Sequence, residues 1–142
     1  MSLSEVSQRC YSPEEIAGML NELGYAAEIE PRSEGSHVIR CSKARYGFSL
    51  YLDGYKGQSS ELLGIMQFVA WVRAKTPLET INFWNSAARW VKVYRARGQL
   101  TQDQNLTFEW DVVMHHVSPA FFKACVGLWE EALDKAEDLP LA

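Results

Sequence analysis

Apolar residues recur every three or four positions near the start of the chain, at every second position through its middle, and every three or four again near its end. The first block opens on Ser12-Pro13 with Glu15 three residues after the serine, the signature of a capping box with proline at the first helical position. Ile16, Met19, Leu20 and Leu23 then share one helical face, and Gly24 stands where a helix over about 13–23 would end. Strands are predicted at 25–30 and 37–42, around the polar turn 32–36, and over 46–53 after a tight turn at Lys43-Ala44. In the third, Tyr46, Phe48, Leu50 and Leu52 alternate with more polar residues. Residues 62–74 fit neither period, but Ile65, Phe68, Val69, Trp71 and Val72 are β-formers, so the segment reads as a strand buried on both sides. Thr76-Pro77-Leu78-Glu79 repeats the first cap and predicts a helix over 77–88 that buries Leu78, Ile81, Phe83 or Trp84, and Ala88. A hairpin follows, with arms at 90–96 and 105–115. Ser118-Pro119 opens a last helix with Phe122, Cys125, Trp129, Ala132, Leu133 and Ala136 on one face, and Pro140 stops it.

The predicted order is α-β-β-β-β-α-β-β-α. Strands in consecutive runs predict an α+β fold, an antiparallel sheet with helices packed on one side. A chain of 142 residues fits one domain, here 12–138, between a flexible N-terminus (1–11) and a short tail (139–142). With 47% hydrophobic and 12% aromatic residues it has material for a full core, which excludes overall disorder. The net charge of −4 argues against a general electrostatic grip on nucleic acid or an anionic membrane. Cys10, Cys41 and Cys125 are odd in number and widely spaced, which speaks against a disulfide framework or a zinc site and suits a reducing cytoplasm. Residues 1–9 carry no apolar core of a secretory signal. The longest apolar run, 62–72, contains Gln67 and is too short for a membrane helix.

Candidate chemistry is sparse. Asn82, Asn85 and Arg89 lie on one helix face, where amides and a guanidinium suit the tying of a helix end to the next strand. His115-His116 would point to opposite sides of a strand and cannot chelate one ion together. Arg89, Lys92, Arg95 and Arg97 interleave with Trp90 and Tyr94 as in a single-strand nucleic-acid platform. Glu109 and Asp111 on the facing arm, however, predict ordinary cross-strand pairing with Lys92 or Arg95. Cys125 reads as a small core residue. Nothing points to a catalytic group, a cofactor or a metal.

A resemblance enters at Thr80-Ile81-Asn82-Phe83-Trp84-Asn85-Ser86-Ala87-Ala88-Arg89-Trp90, followed by Tyr94. Glu109-Trp110-Asp111 and Val117-Ser118-Pro119 with Phe121 and Phe122 extend it. The chain resembles the YbjN-like family of bacterial sensory transduction regulators. The resemblance implies a fold similar to type III secretion chaperones, a curved antiparallel sheet under helices, with no catalytic residues. It leaves Asn82, Trp84, Asn85, Arg89, Tyr94 and Asp111 as motif positions of structural character. The basic stretch Arg95 to Leu100 and the aromatic segment 62–72 depart from the family pattern.

The expectation is therefore a non-enzymatic protein-interaction module of the bacterial cytoplasm, chaperone-like and homodimeric, with no nucleic-acid or membrane partner. Its predicted surface is Trp71, Phe121, Leu128 and Trp129, because the last helix is apolar over a wide arc. Two alternatives stand beside it: a small-molecule sensor with a pocket between sheet and helices, and a hydrolase built on Glu109 and Asp111.

Overall fold

The structure, a computed structural model, describes residues 11–31, 36–53, 64–73, 76–95, 105–114 and 117–139. Helix α1 spans Pro13–Glu22, and its capping box forms as predicted. Ser12 Oγ accepts from the Glu15 N–H, and a Glu15 carboxylate oxygen accepts from the Ser12 N–H, both at 3.2 Å. Gly24 closes the helix at φ +92°, with the Tyr25 N–H on the Leu20 carbonyl and the Gly24 N–H on that of Asn21. That double bond is a Schellman motif, and it needs the left-handed backbone that glycine adopts without strain.

The strands are β1 (Ala26–Pro31), β2 (Ser36–Lys43), β3 (Tyr46–Asp53), β4 (Ile65–Arg73), β5 (Lys92–Arg95) and β6 (Asn105–Val113). Helices α2 (Leu78–Ala87) and α3 (Pro119–Ala136) complete the order expected from the sequence. The six strands form one antiparallel sheet in the order β1-β2-β3-β4-β6-β5. Strand β4 is central, paired with β3 on one side and β6 on the other. Met66, Phe68 and Ala70 are buried on the face toward the helices, and Val69 is buried on the opposite face. Burial in both directions is why this segment shows no period of two.

The core lies between the sheet and the three helices. Alternate strand residues, Ile39, Leu50 and Phe68 in one row and Ala70, Phe108 and Val93 in another, meet Ile16 and Leu20 of α1, Ile81 of α2, and Phe122, Cys125 and Val126 of α3. Trp129 is at its centre. It is fully buried, its ring stacked on Phe68 at 5.1 Å and edge-on to Phe48 at 5.9 Å. Its position on α3 points it into the sheet, so it is a core residue and leaves the surface set that the sequence suggested. The opposite sheet face is partly dry as well, with Val38, Ser49 and Thr107 buried on it.

Helix α2 departs from its predicted details. The sequence pattern placed a capping box at Thr76, but the N-cap is Pro77, no side chain caps the helix, and the first helical residue is Leu78. Leu78, expected inside, is exposed; of the pair Phe83 or Trp84 it is Trp84 that packs on the core while Phe83 is exposed, and of the helix only Ile81 is fully buried. A ten-residue helix beside an edge strand has little sheet to cover, so the apolar residues off the Ile81–Trp84 line stay in solvent.

Candidate functional site: an aromatic cleft between two helices

Strand β5 is short and lies at the sheet margin, so its outer peptide groups have no strand to bond. The end of α2 supplies the missing partners. Asn85 donates Nδ2–H to the Val93 carbonyl and accepts the Val93 N–H on Oδ1, both at 2.8 Å. One residue earlier, Trp84 donates its indole N–H to the Val91 carbonyl at 2.9 Å and sets its ring edge-on to Phe108 at 5.4 Å. Asparagine suits this work because its amide carries a donor and an acceptor side by side, like a peptide. Of the polar trio predicted to hold the helix end, Asn82, Asn85 and Arg89, all three are exposed and Asn85 is the one that bonds the strand.

Docking β5 in this way separates α2 from α3 and leaves a cleft of about 520 Å³ between them. Thr80, Phe83 and Ala87 line it from α2, Trp90 and Val91 from the turn into β5, and Leu128, Glu131, Ala132 and Lys135 from α3. Its apolar rim is exposed to an unusual degree, with Phe83 at 72%, Trp90 at 54% and Leu128 at 37% of full exposure. Beneath the rim the aromatics continue inward: Trp90 lies 6.1 Å from Trp110, and Trp110 stacks on Phe68 at 5.5 Å. Arg89, Glu131, Lys135 and Asp138 add charges of both signs, and none of them makes an ion pair with a described residue.

The predicted surface residues thus divide. Leu128 sits on the cleft. Phe121, two turns earlier on α3, is exposed on the same side of that helix. Trp71 is exposed elsewhere, beside a recess of about 470 Å³ that it shares with Arg45, Gly47, Leu133 and Glu137. Phe83 and Trp90 were missed as surface residues. The sequence motif held both, but periodicity left Phe83 or Trp84 as the buried position and placed Trp90 in a strand that begins only at Lys92.

The hairpin charges pair across strands in part. Lys92 meets Glu109 at 3.0 Å, and Tyr94 donates to the same carboxylate at 2.7 Å. Arg95 turns to the other side and donates to the Thr76 carbonyl at 2.9 Å, away from Glu109. Asp111 is exposed. Burial, helped by Glu109, lifts the Tyr94 phenol to about 12, and the hydrogen bond to Glu109 lifts the Lys92 ammonium. Both shifts hold these groups in their ordinary neutral-pH charge states. The Glu109 carboxylate is therefore engaged as an acceptor for its neighbours. Burial raises the thiols of Cys41 and Cys125 to about 12 and about 11, the condition of inert core cysteines. His115, His116, Arg97 and Cys10 lie outside the described residues. Among the described residues no three His, Cys, Asp or Glu side chains converge to hold a metal ion, and no helix is long and apolar enough to cross a membrane.

No curated protein and no solved structure matches the chain. A family model does, over residues 12–139, and its description is "putative bacterial sensory transduction regulator". The matched span takes in the three helices and six strands of the described residues, including the Trp84–Asn85 docking of β5. The chain belongs to the YbjN family.

Proposed function

We propose that this chain is a non-enzymatic regulatory module of the bacterial cytoplasm, chaperone-like in action, that binds another protein through the cleft between α2 and α3. One observation carries the reading: Phe83, Trp90 and Leu128 stand exposed around a single cleft. Isolated apolar residues on a surface need no explanation, but aromatics gathered at a concave site are the usual composition of binding hot spots. Family membership supports a regulatory role, and of the hairpin's acidic groups Glu109 is taken up by Lys92 and Tyr94 across the strands.

The test is site-specific photo-crosslinking in the native cell. A photoreactive phenylalanine analogue at position 83 should join the chain to one discrete partner, and Trp90→Ala should abolish the adduct. The same analogue at position 40, on the far sheet face, should give none. Identical adducts from both positions would remove the cleft from consideration.

The second reading is a small-molecule sensor using the same cleft. Its volume of about 520 Å³ supports this, lying within the range of roughly 300–1,000 Å³ typical of ligand pockets. A metabolite that raises the melting temperature by several degrees in the wild type and not in Trp90→Ala would favour the sensor.

A further inference from the structure

We infer that the cleft receives a short amphipathic helix from a different protein, one whose apolar ridge is flanked on one side by charges in the order basic, acidic, basic. The inference rests on the interaction reading above and names the partner's form. The backbone argument comes first. The edge strand nearest the cleft is β5, and both hydrogen-bonding groups of its Val93 are occupied by Asn85. An extended guest would find the Val93 peptide groups and the Val91 carbonyl already taken, whereas a helix satisfies its own backbone and needs only a groove for its side chains. The groove is walled by helices on one face of the sheet, so a guest helix extends a layer that already exists.

The charges specify the guest further. Along α3 and the turn that follows it, Glu131, Lys135 and Asp138 follow Leu128 at intervals of three and four residues with alternating sign. None pairs with a described residue, so each is available to an incoming side chain. Their complement is basic, acidic, basic at the same spacing, the device that flanking positions use to set partner and orientation in paired helices. Among the described residues the helices do not offer that pattern. Helix α1 carries only acidic residues (Glu14, Glu15 and Glu22), α2 only Glu79, and in α3 the first base, Lys123, is seven residues from the next acidic group and already bridges Glu22. A second copy is thus a poor occupant, and a dimer of this chain would use another face.

The test uses the full chain and two labelled 14-residue helical peptides, both with leucines at the core positions. One carries flanking Lys–Glu–Lys at one charge per turn, the other Glu–Lys–Glu. Fluorescence anisotropy should show saturable binding of the first at least tenfold tighter than the second. Trp90→Ala should weaken it at least tenfold, and the triple exchange Glu131→Lys, Lys135→Glu, Asp138→Lys should invert the preference. These four positions are exposed, and circular dichroism checks that each variant folds. No binding, equal binding of the two peptides, or a preference that survives the exchange would overturn the inference. So would a dimer in sedimentation that Trp90→Ala turns into a monomer. If neither peptide binds while position 83 still crosslinks to one partner, the interaction reading stands and the helical guest falls.

Discussion

The carboxamide of Asn85 sits where a further strand would lie, with Nδ2 on the Val93 carbonyl and Oδ1 on the Val93 N–H at the same 2.8 Å. Asn85→Ala should therefore lower stability in urea by about 1–3 kcal/mol, the cost of leaving partly buried peptide groups without partners. Asn85→Asp should cost a comparable amount, because it keeps the acceptor but sets a carboxylate against the Val93 carbonyl. If Asn85→Asp matches the wild type, the paired geometry is wrong. Two turn residues make opposite predictions. Gly24 is at φ +92°, and an added Cβ would meet the Lys43 side chain at 3.2 Å, so Gly24→Ala should destabilise by roughly 1–2 kcal/mol. Ala44 is also left-handed, at φ +48°, and Ala44→Gly should be neutral or stabilising by up to about 1 kcal/mol, because relief of strain offsets the added freedom of the unfolded chain.

At the scale of elements, what could be read in advance depended on how local its cause was. Helix α1 was legible almost to the residue because its cap, its stripe and its terminating glycine all act within a few positions. The strands were legible where the two faces differ in polarity, as in β3, and β4 was identified by its β-formers once its lack of period was taken as two-sided burial. Helix α2 shows the limit. Thr76-Pro77-Leu78-Glu79 has the letters of a capping box, yet Thr76 is buried and the helix starts beyond it. No local rule states how much sheet lies beneath a helix, and that decided the fate of Leu78 and Phe83. Chemical denaturation checks the corrected placement: Ile81→Ala should cost about 2–4 kcal/mol, whereas Leu78→Lys should fall within about 0.5 kcal/mol of the wild type. The cleft was half legible for the same reason. Leu128 was visible as apolar excess on α3, but its meeting with Phe83 and Trp90 depends on where α2 docks, which is set by Asn85 and a strand eight residues on.

For the whole molecule, stability centres on Trp129 and its neighbours, and Trp129→Ala should cost about 3–5 kcal/mol. Trp129→Phe should cost much less, because it also removes an indole N–H that is buried without an acceptor. Alkaline pH probes the same core. The Cys41 and Cys125 thiols, ordinarily near 9, are raised to about 12 and about 11 by burial, and burial beside Glu130 raises the Tyr25 phenol in the same direction. Above pH 9 the unfolded chain releases these protons while the folded chain keeps them, so the stability present below pH 9 is lost as the pH climbs toward the folded values. The urea midpoint should fall between pH 9 and 11, and fall less steeply in Cys41→Ala. A midpoint that stays level over that range would mean the thiols are wetter than their burial implies.

The two margins of the sheet are blunted by different means. At one, β1 presents Glu28 and Glu30 to solvent, and at the other the Asn85 amide covers β5. A molecule so finished cannot act as a template onto which identical molecules add end to end. The amide thus has a second consequence, one for the population more than for the single molecule: at high concentration and warmth the wild type should stay clear in solution, while Asn85→Ala, with one margin laid bare, should grow filaments that bind thioflavin.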